Sequence, residues 1–344
     1  MSKKVKSYNT SPLIHVGFEA FAQRIADASE VISSYEDDDI ARIRALAHTG
    51  IHGYYNYLKS DQSLDDRTLI VNLLPFANGA VKRSREEREK GIESPQLSTH
   101  MAIRAEAIRL ITGADVLTIP NDAGYANPQW FDVEEKRAIR EGEVSPFADR
   151  INLIINSLEA YYTQIVVSGY SQGAVISEKV APLIPQVKKV VAIEPTNVRS
   201  WGRNRLTRLA RIGFRYMTIG MKKVRAAAAD SGIPRLQEAQ EANPPLVPII
   251  RNRYFRRMLT GNDFGDSSRD IPIDVYTNYD STICEPPELW SRITSSRADG
   301  GKSPIEVHVL DGKHQDVIRS FGHVATDNVL LHGALLAKSL NRTN

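Results

Sequence analysis

The chain alternates two hydrophobic rhythms. Short apolar runs of four to six residues recur at 69–74, 116–119, 165–168, 190–193, 273–277 and 305–310, and they are rich in Val and Ile. Continuous β-branched runs of this length are the signature of strands buried on both faces of a parallel sheet. Between most of them lie segments with apolar residues every three to four positions, at 99–111, 147–161 and 174–183, the spacing of one helical face. Strand, helix and strand in alternation predict an α/β fold of about six mainly parallel strands flanked by helices.

The first 65 residues follow a different pattern. Phe18, Phe21, Ile25, Ala28 and Ile32 share one face of a helix predicted over 17–33. Glu36-Asp37-Asp38-Asp39 supplies the acidic first turn of a second helix, where carboxylates meet the positive end of the helix dipole. That helix carries Ile40, Ile43, Leu46 and Ala47 inward until Gly50 and Gly53 interrupt it, and Tyr54, Tyr55 and Tyr57 follow as packing residues. The predicted organisation is a helical N-terminal region at 1–65 packed on an α/β core at 66–196 and 270–344. Residues 197–269 form an insertion into that core.

Charge sharpens the picture of the insertion. The 344 residues carry a net charge of only +3, but 198–257 holds 14 Lys and Arg against three Asp and Glu, a balance of +11, leaving −8 on the rest. Leu206, Leu209, Gly213, Met217, Met221 and Val224 fall on one side of a helix predicted over 203–225, and Gly232 and Pro234 stop it. The insertion thus reads as a basic helical cap. With 42% hydrophobic and 25% charged residues the composition is that of a soluble globular protein, and no apolar run is long enough to span a bilayer. A basic start without an apolar core behind it, and a single cysteine, Cys284, predict a cytoplasmic protein without disulfides.

The chemistry centres on Gly169-Tyr170-Ser171-Gln172-Gly173. A G-x-S-x-G match alone is weak, but this one directly follows the 165–168 strand and opens the 174–183 helix. Strand, turn and helix in that order are the setting of a nucleophile elbow, in which Ser171 sits on a sharp turn between small residues, Gly169 and Gly173. A serine hydroxyl is a poor nucleophile without a base and an acid to orient it. In chain order Ser, acid, His, the acid is Asp280, just beyond the 273–277 strand, with Glu194 the competing carboxylate after the preceding strand. His314 follows the last strand through an Asp311-Gly312 turn and is the preferred base; His323 is the alternative. His308 within a strand and His332 within the terminal helix read as structural. The oxyanion requires two backbone N–H groups, one from Gln172 and one from Phe76 or Ala77 in the loop after the first strand.

The stretch Gly169-Tyr170-Ser171-Gln172-Gly173-Ala174 resembles the elbow of cutinase-like α/β-hydrolases, which include the phage-encoded mycolyl-arabinogalactan esterases. Asp280-Ser281-Thr282-Ile283-Cys284 is similar to the Asp-x-x-Cys stretch that carries the acid in cutinases, with one residue more before the cysteine. The resemblance covers roughly 66–196 and 270–340. It implies an α/β-hydrolase fold, a Ser/Asp/His triad and ester cleavage. The disulfides of secreted cutinases cannot form with one cysteine, and the basic insertion has no counterpart in cutinases proper.

The functional expectation is a serine hydrolase cleaving a carboxylic ester or thioester, with the basic cap favouring an anionic or lipid-like substrate. The other class is a non-catalytic binding protein that keeps the scaffold and holds an acidic partner through the insertion. No H-E-x-x-H spacing and no glycine-rich dinucleotide fingerprint occur, so neither a metal nor a cofactor is expected. Aromatic residues in the insertion are dispersed, and nucleic acid is not an expected partner.

Overall fold

The computed structural model describes residues 13–16, 22–48, 54–61, 67–74, 80–81, 96–97, 99–120, 131–158, 160–196, 198, 264–266, 271–278, 284–297, 305–310 and 328–340. The expected cap at 197–269 lies almost entirely outside these residues.

Nine strands form the main sheet: β1 (Leu13–Val16), β2 (Ala47–His48), β3 (Tyr54–Leu58), β4 (Thr68–Leu73), β7 (Asp115–Ile119), β8 (Gln164–Tyr170), β9 (Val187–Ile193), β10 (Ile273–Asn278) and β11 (Ile305–Leu310). A separate antiparallel pair joins β5 (Ala80–Val81) to β6 (Gln96–Leu97). In space the main sheet runs β1-β11-β10-β9-β8-β4-β7-β3-β2. Pairing is parallel from β1 across to β7, and antiparallel only where β3 meets β7 and β2 meets β3. The six strands expected from the apolar runs are β4 and β7 to β11. Their side chains alternate between two layers. Leu69, Val71 and Val167 face one, with Ile151 of α5 (Ser145–Ser157), Val175 of α6 (Gln172–Val180) and Leu289 of α7 (Pro286–Arg297). Ile70, Val166 and Tyr170 face the other, with Ile32 of α1 (Ala22–Ser33), Ile43 of α2 (Asp37–Arg44), Ile103 of α3 (Thr99–Thr112) and Leu335 of α8 (Asn328–Ser339). Burial on both faces is why these strands carry no polar alternation.

The N-terminal region departs from expectation. α2 has the acidic first turn, and Glu36 and Asp39 form a capping box at its start, but the helix ends at Arg44. Leu46 follows the helix, and Ala47 lies in β2. The tyrosine stretch is β3, an antiparallel strand on β7, from which Tyr55 and Tyr57 pack against the core as expected. With β1 added at the opposite edge, this region contributes three strands to the sheet as well as its helices. Helical spacing masked β1 because a four-residue edge strand offers too short a window for periodicity to register. α4 (Val133–Glu141) is likewise a helix that the apolar pattern did not reveal, since it has few apolar residues and is set by its ends: Asp132 and Glu135 make a capping box, and Gly142 closes it in the left-handed conformation.

One polar knot secures the antiparallel edge. Asp115, at the start of β7, accepts hydrogen bonds from the Tyr57 hydroxyl (2.8 Å), the Tyr162 hydroxyl (2.8 Å) and the Ser60 backbone N–H (2.7 Å). Burial is the main reason the Tyr57 phenol is pushed up to about 12. No helix among the described residues is long and apolar enough to cross a membrane.

Replacing Asp115 by Ala removes the acceptor that three donors share, leaving the Tyr57 and Tyr162 hydroxyls, 2.7 Å apart, only each other. Hydrogen bonds to a charged group are worth roughly 1.5–3 kcal/mol each in net terms, with partial re-solvation at this edge, so Asp115→Ala is expected to cost about 2–3 kcal/mol. Urea denaturation followed by circular dichroism measures it; a midpoint equal to wild type contradicts the role given to Asp115.

Candidate active site

The chain leaves β4 towards β7 on one side, whereas β8 is followed outward by β9, β10 and β11 on the other. The winding direction therefore reverses between the adjacent strands β4 and β8. In open α/β sheets the crevice at such a reversal, beyond the carboxyl ends of the strands, is where ligands bind. Ser171 stands at that point, at the end of β8 and immediately before α6.

Its backbone is unusual for a residue with a side chain, at φ 56° and ψ −115°. Strain of this kind persists only where neighbouring structure imposes it. Three contacts impose it here. The Ser171 N–H donates to the Ile193 carbonyl of β9 at 2.9 Å. A Cβ on Gly169 would lie 2.2 Å from the Gly173 carbonyl carbon, so strand and helix touch backbone to backbone. A Cβ on Gly173 would lie 2.2 Å from the Leu73 carbonyl oxygen of β4. With both glycines in place, α6 starts at Gln172 directly behind the serine. The amide of Gln172 belongs to the helix's first turn, where N–H groups and the helix dipole favour negative charge.

The layer beneath the elbow holds buried polar groups. Ser168 Oγ and His332 Nε2 are 2.8 Å apart, both fully enclosed. Burial, reinforced by the positive charge of Arg104, holds the His332 imidazole well below its usual range. Arg104 of α3 is itself only 3% exposed, and its guanidinium lies 5.5 Å from the centre of the Tyr170 ring. Burial lowers it to about 10. Burial and then the negative charge of Glu194 push the Tyr170 phenol up. Arg104 escaped the sequence reading because it sits in a regular helical pattern; its one distinguishing mark is a position on the inward face of 99–111.

Glu194 terminates β9 in the left-handed region, at φ 49°. Its N–H donates to the Tyr276 carbonyl at 2.8 Å, and its carboxylate Oε1 accepts the Asn278 N–H of β10 at 2.5 Å. The Thr277 hydroxyl, which donates to the Cys284 carbonyl at 2.7 Å, lies 3.3 Å from the same oxygen. Burial, with the Glu194 charge adding to it, pushes the Cys284 thiol up, which suits a packed and unreactive cysteine.

Of the residues expected to carry the chemistry, Ser171, Gln172, Gly169 and Gly173 are thus assembled at the elbow. Asp280, His314, His323, Phe76 and Ala77 lie outside the described residues. One cluster with metal-ligand chemistry was not visible in the sequence: Asp274, Glu306 and His308 offer ligand atoms within 4.8 Å of one another. Strand pairing creates it, because Asp274 lies opposite Glu306 and His308 is two residues on, on the same face. Asp274 is also paired with Lys189, whose Nζ stands 2.7 Å from its carboxylate.

No family model and no curated protein matches the chain. Solved structures do resemble it. A lipase-esterase related protein from Clostridium acetobutylicum superposes with a TM-score of 0.50 at 12% identity, covering 83% of this chain and 98% of that one. A hydrolase from Oleispira antarctica gives 0.49 at 11%, covering 90% and 97%. An acylaminoacyl peptidase from Pyrococcus horikoshii gives 0.45 at 10%, and this chain, 84% of which is covered, spans only 39% of its length. The strand order, the elbow and the Clostridium likeness together show the α/β-hydrolase fold.

Two outcomes follow from the elbow and the layer beneath it. Gly173→Ala must displace α6 from β4, because backbone cannot yield as a side chain does, and is expected to destabilise by about 3 kcal/mol or more. A thermal midpoint within 2 °C of wild type, an allowance of roughly 1.4 kcal/mol for a chain of this size, contradicts that contact. His332 stays neutral in the fold while the unfolded chain protonates near 6.5, so stability is complete above that pH and falls as pH drops below it, by up to about 1.4 kcal/mol per unit. His332→Gln, which keeps a partner for Ser168, is expected to flatten that slope in urea titrations between pH 7.5 and 5.5; an unchanged slope contradicts it.

Proposed function

We propose that the chain is a serine hydrolase that cleaves a carboxylic ester, or a thioester, through an acyl-enzyme on Ser171. The observation that carries this reading is the strained Ser171 backbone at the carboxyl end of β8, where the sheet reverses its winding and α6 begins. A strained, non-glycine residue is retained at such a place where its side chain must be held out to a ligand.

In this reading Ser171 Oγ attacks the substrate carbonyl and its proton passes to an imidazole, His314 by chain order and otherwise His323. The tetrahedral oxyanion is met by the Gln172 N–H and by a second N–H from the 75–79 loop after β4, at Phe76 or Ala77. The imidazolium returns the proton to the leaving alcohol or thiol, and water releases the acyl group by the same path in reverse. Chain order offers Asp280 to hold the imidazole. The likeness of the elbow to cutinase-like esterases supports ester over peptide cleavage, and the lipase-esterase related protein from Clostridium acetobutylicum has a similar fold. The 197–269 insertion, with most of its charge positive, would cap the site and draw in a substrate with an anionic or lipid-like group.

A fluorophosphonate probe tests the reading. One adduct per chain is expected, on the peptide containing Ser171, and Ser171→Ala is expected to abolish it and to lower ester turnover by roughly three orders of magnitude or more. Folded protein that takes no label at Ser171 overturns the hydrolase reading and leaves a binding protein on a hydrolase scaffold.

A further inference from the structure

We infer that Asp274, Glu306 and His308 form a binding site for a divalent transition-metal ion, with zinc the ion that suits their donors best. The inference stands apart from the serine-hydrolase reading.

Strand register builds the site. β10 and β11 are parallel, and Asp274 lies opposite Glu306. Side chains two residues apart share one face of a strand, so His308 stands beside Glu306 on that face. The two carboxylates and the imidazole each offer a ligand atom, and these atoms lie within 4.8 Å of one another. His308 Nε2 and Glu306 Oε2 are 3.4 Å apart. Zinc bonds of about 2.0–2.2 Å place the ligand atoms of a tetrahedron roughly 3.3–3.5 Å apart, so this pair already has the required spacing. The Glu306 side chain is 57% exposed, which leaves it free to turn towards an ion and opens a path from solvent.

His308 is the observation that points to a ligand. It is 3% exposed, yet neither of its ring nitrogens makes a hydrogen bond. Enclosing a polar group without giving it a partner is costly, and a metal on Nε2 would supply one. The ring is also held in place. It stacks on Tyr276, with centroids 4.6 Å apart and planes 17° from parallel, and the Tyr276 hydroxyl lies 2.9 Å from Ser339 Oγ of α8. Burial first, and then the charge of Lys338, lowers the imidazole's pKa. The neutral ring is the form that binds a metal.

Lys189 fixes the third ligand and moderates the site. Its Nζ stands 2.7 Å from Asp274 Oδ2 and donates to the Ser339 carbonyl at 2.7 Å. An ionised carboxylate has about four lone-pair sites, enough for an ammonium and a metal together. The ammonium's charge nevertheless opposes an incoming cation and sets the affinity below that of an all-acidic site. One imidazole with two carboxylates excludes a preference for calcium or magnesium, which favour oxygen alone, and water completes the tetrahedron as in zinc sites with three protein ligands. Asp274 and Glu306 are each the second residue of their strands, at the opposite end of the sheet from Ser171. A metal there clips β10 to β11 beside the end of α8 and leaves the elbow untouched.

The test is calorimetric titration of the metal-free full chain with zinc chloride. One zinc per chain is expected, with a Kd on the order of micromolar, weaker than a four-ligand structural site. Free zinc at about 100 times that Kd is expected to raise the thermal midpoint by roughly 3–4 °C. Glu306→Gln, at an exposed position, is expected to fold and to weaken zinc binding by about tenfold or more. His308→Phe keeps a ring to stack on Tyr276 but removes both nitrogens, and is expected to abolish saturable binding. The inference is overturned if wild type binds no zinc more tightly than about 100 μM. It is also overturned if Glu306→Gln binds within about tenfold of wild type, or if folded His308→Phe still saturates, since either result marks an adventitious ion only. Should His308→Phe not fold, the Glu306→Gln result decides. Wild type that binds zinc at this site but takes no fluorophosphonate label at Ser171 upholds the metal site and overturns the hydrolase reading alone.

Discussion

Everything at the candidate site depends on how closely three backbones approach one another at the reversal of the sheet. α6 lies so near β4 that a methyl group on Gly173 would stand 2.2 Å from the Leu73 carbonyl oxygen, and Gly169 admits the first turn of α6 against its own strand in the same way. With the helix held this tightly, Ser171 has no relaxed conformation left, and its N–H is taken by Ile193 of β9. The strain is thus the product of packing by β4, β8, β9 and α6 together. Loosening any of them would let the turn relax and withdraw the hydroxyl. A close-packed interior transmits such changes because it has little free volume in which to absorb them.

Below that turn the protein encloses an uncommon amount of polar chemistry. His332 is bonded to Ser168, and Arg104 stacks over Tyr170 without a carboxylate among its described contacts. On the same layer Glu106, fully buried, holds Arg109 in an ion pair and accepts the Tyr35 hydroxyl. A group of this kind is costly to bury, and breaking one partner costs more than the pair contributes. These contacts specify how α3 and α8 sit beneath the elbow more than they add to stability.

The core strands were legible because burial on both faces writes itself as a continuous apolar run; all six runs, from Leu69 to Leu310, are parallel strands. The elbow was legible because its constraint demands glycine at two fixed offsets from the serine. Other features left no such trace. β3 mixes tyrosines with a buried Asn56 whose amide bonds to the Ile43 and Ala45 carbonyls, a requirement set by the neighbouring helix end and not by strand periodicity. The grouping of Asp274, Glu306 and His308 arises from the register of two strands far apart in sequence. Glu194 was visible as a carboxylate after a strand, but its left-handed turn and its bond to the Asn278 N–H follow from tertiary contacts.

In the proposed reaction the strained serine at the end of β8 forms a covalent acyl intermediate. Pre-steady-state hydrolysis of a chromogenic ester by the full chain, with the acylated peptide identified after rapid acid quench, measures it most directly. A burst approaching one product per chain is expected before the steady rate sets in, as for an acyl-enzyme that forms faster than it is hydrolysed, with the acyl mass on the peptide containing Ser171. Turnover without a burst and with no acyl mass on that peptide would contradict it.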